Sequence, residues 1–148
     1  TNDAPSTITR LQNMGTPDYL ISAACQLVVA QRLARRNCAD CKIPDDDVNP
    51  KVLQDLGFSA EQASRAKAFK GKGCAKCSDT GYKGRQGIYE ILVVSKPIKE
   101  AILRKATTPE LREIAIKEGF QTMQDMGKRM IASGDLNFRE YERVLTSE

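Results

Sequence analysis

Cys38 and Cys41, and again Cys74 and Cys77, form two Cys-x-x-Cys pairs, and this doubled spacing is where the chain can do chemistry. Each pair can present two thiolates to one tetrahedral metal from a single tight turn, and two such knuckles complete a four-sulfur site. The chain has no histidine, so a mixed Cys/His site is not available. Four closed sulfurs leave no coordination position for water, which points to structural zinc, one ion per chain, rather than a catalytic ion. Iron, disulfides or a redox dithiol would use the same thiols, and spacing alone leaves them open. Cys25 stands apart, inside an apolar pattern, and reads as a small core residue.

The surroundings of these pairs are uneven in charge. Arg65, Lys67, Lys70, Lys72, Lys76, Lys83 and Arg85 face one acid, Asp79, across residues 65–85. The stretch before it, 43–64, carries Asp45, Asp46, Asp47, Asp55 and Glu61 against Lys51. A basic block of this kind suits acidic lipid headgroups, nucleic acid or an acidic partner, or is simply a solvated face around a metal knuckle. Phe69 and Tyr82 are the only aromatic residues in the block, too few for a stacking platform, so nucleic acid is not the expected partner. The longest apolar region, Leu20 to Leu33, is interrupted by Ser22, Gln26, Gln31 and Arg32 and falls short of the roughly 20 residues of a membrane span. No signal-peptide pattern opens the chain, so a cytosolic setting is expected, where paired thiols hold metal more often than they form disulfides.

Several elements must position the cysteines. Asp3 or Ala4 near the N-cap, Pro5 near N1 and Gly15 past the end predict a first helix with Ile8, Leu11 and Met14 as its buried stripe. Thr16 and Pro17 predict the start of a second, its apolar positions Leu20, Ile21, Ala24, Leu27, Val28 and Leu33 spaced by three and four residues. That helix is expected to end in Arg32, Arg35 and Arg36, cations suited to a C-terminus. Between the cysteine pairs, Asn49-Pro50 predicts a short helix stopped by Gly57, and Ser59 with Gln62 has capping-box spacing for another. A short strand is expected near Ala68–Lys70. After the second pair, Thr80 to Arg85 reads as a glycine-punctuated turn and 87–94 as the one clear strand, which needs partners. Starts at Ser95-Lys96-Pro97, Thr107-Thr108-Pro109-Glu110, Thr122 and Asn137 predict four C-terminal helices.

Three stretches carry a family resemblance. Thr1-Asn2-Asp3-Ala4-Pro5-Ser6 with Thr9-Arg10-Leu11, Ala30-Gln31-Arg32-Leu33-Ala34-Arg35-Arg36 leading into Cys38, and Gly73-Cys74-Ala75-Lys76-Cys77 followed by Gly81-Tyr82-Lys83-Gly84-Arg85 and Gly87-Ile88-Tyr89-Glu90 are the segments concerned. In order and spacing they resemble the C-terminal region of the secretion ATPase superfamily, the motors of type II secretion and type IV pilus assembly. The cysteines favour the extension-type motors. The resemblance implies an α/β, mostly helical fragment: the end of a RecA-like ATPase core at 1–37, a tetracysteine metal-binding subdomain at 38–80, a strand returning to the core at 81–95, and a C-terminal helical bundle at 96–148. It implies a parent that works as a homohexamer on ATP and Mg2+, cytoplasmic and peripheral to the inner membrane, moving a polytopic platform protein that extracts pilin or pseudopilin subunits.

The chain departs from that parent in one decisive way. It contains no Gly-x-x-x-x-Gly-Lys-Ser/Thr, and Gly71-Lys72-Gly73 is too short to cradle phosphates. Walker B and the His-box histidine would precede Thr1. Phosphoryl transfer needs all of these parts, so the 148 residues alone are expected to be inactive toward ATP. Thr1, Asn2 and Asp3 would then lie near the γ-phosphate of the parent or form a simple loop into the first helix. Arg10 pairs within the core or faces a neighbouring subunit. Arg85 and Glu90 are expected to bridge subdomains or subunits or to form a surface pair, and Tyr82 to pack on the knuckle. Two other readings remain: a free-standing zinc module binding nucleic acid through 65–85, and a redox or chaperone zinc module. The N-terminal segment and helical tail have no place in either.

Overall fold

The computed structural model describes residues 3–145. The elements run α1 (Ala4–Asn13), α2 (Asp18–Ala24), β1 (Leu27–Asn37), β2 (Lys42–Pro44), α3 (Pro50–Asp55), α4 (Ala60–Arg65), β3 (Phe69–Gly71), a 3-10 turn (Ala75–Cys77), β4 (Tyr82–Val93), α5 (Lys96–Leu103), α6 (Thr108–Lys117), α7 (Met123–Ser133) and α8 (Phe138–Leu145). It is a small mixed α/β fold. Strands β1 and β4 form one two-stranded sheet and β2 and β3 another. The chain divides into two compact units, one from Thr1–Gln31 and Tyr89–Met123, the other from Arg32–Ile88 and Gln124–Glu148.

In the first unit, Ile8 of α1, Ile21 of α2, Val28 of β1, Leu92 of β4, Ile98 and Ile102 of α5 and Leu111 of α6 share one core. Cys25 is half-buried against it, as a small core residue should be. Asp3 caps α1: its carboxylate accepts the Ser6 N–H at 2.8 Å, and the Ser6 hydroxyl accepts the Asp3 N–H in return. Asp3 also pairs with Arg112 of α6, and the Thr9 and Thr108 hydroxyls meet at 2.7 Å. Met14, expected in the buried stripe of α1, is exposed.

The predicted long second helix is not formed. Helix α2 stops at Ala24, Cys25 is already extended, and residues 27–37 are a strand. Its start is also different: Pro17 holds the N-cap position with no side-chain cap, so Thr16 does not serve. Val28 and Val29 are β-branched, and burial alternates, with Val28 and Ala34 inward and Leu27, Val29 and Leu33 outward. The spacing of Leu27, Val28 and Leu33 fits either period over so short a run, and β4 decides between them by offering a hydrogen-bonded partner. Strand β4 therefore has the neighbour that the sequence could not supply. It also begins at Tyr82, so the glycine turn is confined to the residues before it. Arg32, Arg35 and Arg36 are strand residues, not helix C-terminal cations.

In the second unit, β2 pairs antiparallel with β3, Lys42 opposite Gly71 and Pro44 opposite Phe69. Asn49 caps α3 and Ser59 caps α4 through the predicted capping box, and Leu53, Phe58, Ala63 and Ala68 make a small local core. Met130, Ile131, Leu136, Tyr141, Val144 and Leu145 are buried around α7 and α8. Of the four C-terminal helices, α5 and α6 lie in the first unit and α8 in the second, as does α7 apart from Met123. Among the described residues no helix is long and apolar enough to cross a membrane.

Candidate metal centre

The second unit brings all four paired cysteines together. Cys38 directly follows β1, Cys41 precedes β2, Cys74 caps the 3-10 turn and Cys77 is its last residue. Their Sγ atoms lie within 4.8 Å of one another. Cys38 and Cys74 are 3.8 Å apart, Cys41 and Cys77 3.8 Å, and Cys74 and Cys77 3.7 Å. A tetrahedron with metal–sulfur bonds of about 2.3 Å has edges of about 3.8 Å, so these separations fit one tetrahedral ion. They are far too long for S–S bonds, which are about 2.05 Å, and all five cysteines are free thiols.

Backbone amides prepare the sulfurs for charge. Gly73 N–H donates to Cys41 Sγ, and the N–H groups of Cys74 and Gly81 both donate to Cys77 Sγ, each at 3.3 Å. Burial pushes the Cys77 thiol up, but those two amides and the neighbouring thiols outweigh it and bring the group down to about 6. Burial dominates at Cys41, and the other three thiols add to it, lifting it to about 11 despite the Gly73 amide. Metal binding requires thiolates, and the amides at Cys77 favour that form.

The turn carrying the second pair is tightly wound. Ser78 and Asp79 adopt left-handed backbone (φ 53° and 60°), and the Asp79 N–H and Thr80 hydroxyl bond back to the carbonyls of Cys74 and Cys77 at 2.8 and 2.7 Å. Gly71 and Gly81 cross at closest approach: a Cβ on Gly71 would lie 1.9 Å from the Gly81 carbonyl oxygen. Gly71→Ala therefore has no room. We expect it to lower metal affinity at least tenfold by chelator competition, whereas Gly84→Ala, where the added Cβ meets nothing within 4 Å, should leave affinity within threefold despite its positive φ. Equal affinities for the two variants would refute this role for the crossing.

The neck of the lobe is fixed from two sides. Cys38 N–H donates to Gly81 O at 2.9 Å. Asn37, one residue earlier, donates its backbone N–H to Asp135 O and its side-chain amide to the carbonyls of Gly134 and Phe69. Beside it sits an ionic cluster around one buried carboxylate that sequence reasoning missed. Glu140, fully enclosed, accepts the Arg35 backbone N–H at 2.6 Å, the Arg35 guanidinium at 3.1 Å and the Arg143 guanidinium at 2.7 Å. Burial would raise its carboxyl, but the two guanidiniums and the Arg35 amide hold it down at about 2. Arg35 also lies 4.0 Å over the Tyr82 ring, whose hydroxyl accepts from the Asn137 amide at 2.8 Å. Tyr82 thus packs under an arginine and bonds the N-cap of α8, rather than only resting on the knuckle. The spacing of Asn137 and Glu140 predicted a cap, which forms at 2.7 Å, but not the second task of Glu140.

Other residues singled out above are dispersed. Thr1 and Asn2 lie outside the described residues. Arg10 and Arg85 are exposed, Arg36 pairs with Asp135, and Arg32 donates to the Val144 carbonyl. Glu90 is not part of a surface pair. It is buried in the first unit, one carboxylate oxygen accepting the Ala4 N–H at 2.6 Å and the other the Met123 N–H at 2.9 Å. Three cations of the basic block form ion pairs: Arg65 with Glu61, Lys70 with Asp45 and Lys76 with Asp40.

Comparison with known proteins finds relatives over nearly the whole chain. The type II/IV secretion system protein family matches residues 1–143. The type IV pilus assembly ATPase PilB of Myxococcus xanthus is 37% identical over 140 residues, 95% of this chain and 25% of that protein. PilB of Thermus thermophilus is 43% identical over 127 residues, 86% of this chain and 14% of that protein. The type II secretion system ATPase E of Vibrio cholerae is 34% identical over 145 residues, covering 97% and 28%. The chain therefore spans about a quarter or less of the length of these relatives. With a match running from its first residue to within α8, the chain belongs to the type II/IV secretion system protein family.

Proposed function

We propose that these residues are the C-terminal part of an ATPase that drives pilus or pseudopilus assembly or type II secretion, and that Cys38, Cys41, Cys74 and Cys77 hold one structural zinc ion. The observation that carries the reading is that nearly the whole chain is similar to ATPases of those systems, at 34–43% identity, over only part of each relative's length. In this reading 1–37 ends a RecA-like core, 38–80 is the metal lobe, 81–95 returns to the core and 96–148 supplies the C-terminal helices. Zinc suits four sulfurs at tetrahedral separations with no position left for substrate. The full-length polypeptide supplies the phosphate loop, ATP and Mg2+, assembles as a homohexamer and acts on a membrane platform protein at the cytoplasmic face of the inner membrane. Exposed Lys67, Lys72, Lys83 and Arg85 suit contact with acidic headgroups there.

The test is ATP turnover. The purified 148-residue chain should release no phosphate above background, because no phosphate cradle or magnesium carboxylate set is present. The full-length polypeptide should turn over ATP. Equal rates for both, or none for the full-length protein, would overturn the reading.

A further inference from the structure

In the second unit the turn joining α7 to α8, residues 134–137, rests on residues that frame the cysteines. Asn37 donates its backbone N–H to Asp135 O at 2.9 Å and its side-chain amide to Gly134 O at 2.9 Å. Asn37 is buried, so both bonds are made away from water. Gly134 lies against β2 and β3: a Cβ there would meet Lys42 Nζ at 3.0 Å and a Phe69 ring carbon at 3.2 Å. At the other end of the turn, the Asn137 amide donates to the Tyr82 hydroxyl at 2.8 Å, while its side-chain oxygen caps α8 by accepting the Glu140 N–H at 2.7 Å.

Three of these supports stand next to the sulfur cluster in the chain. Asn37 precedes Cys38, Lys42 follows Cys41, and Tyr82 follows Gly81, whose own N–H donates to Cys77 Sγ. Asn37 and Tyr82 are far apart in sequence, and the Cys38 N–H to Gly81 O bond sets them side by side. Closing four sulfurs on one ion fixes both sides of that junction. Opening them lets the two sides separate, and hydrogen bonds of this kind are lost once donor and acceptor move apart by about 1 Å.

On the reading of the four cysteines as a zinc site, we propose that the 134–137 turn senses the state of that site. The turn, and the start of α8 with it, is clamped when the sulfurs are closed on an ion and released when they are not. An ion that binds only the closed arrangement shifts the population toward the clamped turn. The coupling is reciprocal, so the contacts that hold the turn also raise the affinity of the site for its ion. Helices α1, α2, α5 and α6 share a core of their own and stand outside this coupling.

Amide exchange on the zinc-loaded protein, before and after chelation, is the test, together with zinc affinity by chelator competition. Removing zinc should accelerate the Leu136, Glu140 and Tyr141 amides by at least about tenfold while those of α1 and α6 keep their rates. Asn137→Ser keeps a cap for α8 but is too short to reach Tyr82, and Tyr82→Phe removes the same bond from the other side while leaving the ring under Arg35. Each variant should still take up one zinc per chain, with affinity lowered by at least about threefold and faster exchange at Glu140 in the loaded state. Turn amides that ignore zinc removal, wild-type affinity in both variants, or equal acceleration across α1 and α6 would each overturn the proposal. A protein that takes up no zinc fails the metal reading and the proposal with it, whereas one bound zinc with silent turn amides fails the proposal alone.

Discussion

Replacing Cys77 with serine is expected to abolish metal binding and unfold the lobe around it. Cys77 is the buried sulfur that accepts the amides of Cys74 and Gly81 and lies 3.7 and 3.8 Å from Cys74 and Cys41. A hydroxyl there neither ionises near neutrality nor matches sulfur as a ligand, so three thiolates remain for a closed site that needs four. Binding energies of structural zinc are on the order of 10 kcal/mol, and in a small lobe that energy is folding energy. The lobe has little else: between the cysteine pairs its buried apolar side chains are Leu53, Phe58, Ala63 and Ala68. Metal analysis should fall from one ion per chain to near zero, and amide exchange in 38–81 should accelerate by at least a hundredfold. Amides of α1, α2, α5 and α6, which share their own core, should keep their protection. Cys25→Ser serves as control, with stoichiometry unchanged. A Cys77→Ser protein that still carries one ion would remove the cysteine from the ligand set, and an ion identified as iron would keep the geometry while changing the metal.

The second large effect is expected at Glu140. Its side chain is fully buried while its partners Arg35 and Arg143 are about half exposed. Glu140→Gln should cost about 3 kcal/mol and lower Tm by roughly 6–12 °C, because the backbone and guanidinium donors lose their charged acceptor. Arg143→Gln, on the wet side, should cost about 1 kcal/mol or less. The pH dependence has a definite sign. The folded carboxyl is held at about 2, below its ordinary 4.5, so the stabilisation is complete above about 4.5 and drains away as pH falls toward about 2. Over that interval the wild-type protein should lose about 3 kcal/mol more than Glu140→Gln does. Parallel stability curves for the two proteins between those values would contradict the buried pair.

What the sequence made legible was local. The α3, α4 and α6 starts follow from Asn49, Ser59 and Thr107, each of which accepts the backbone N–H three residues on. The cysteine pairs were readable because four thiols at repeated spacing have few uses. What stayed hidden depends on partners far along the chain. Strand β1 could not be told from a helix by Leu27, Val28 and Leu33 alone, and its partner begins only at Tyr82. Glu140 meets Arg35 across 105 residues and Glu90 meets Ala4 across 86, separations that no local pattern encodes. Arg35 illustrates the trap: a cation near an expected helix end looked like dipole chemistry, and is in fact one side of a buried carboxylate's pairing.

The bond from Cys38 N–H to Gly81 O has a further consequence. Strands β1 and β4 are neighbours, yet everything from Cys38 to Gly81 is spliced between them where the Cys38 N–H meets the Gly81 carbonyl. Insertions or deletions between Cys41 and Cys74 change the contour of that excursion without shifting which residue of β1 faces which residue of β4. The lobe is thus free to drift in length and surface under selection while the ribbon beneath it is held in register. The metal lets a weakly cored insert keep a defined shape through such drift.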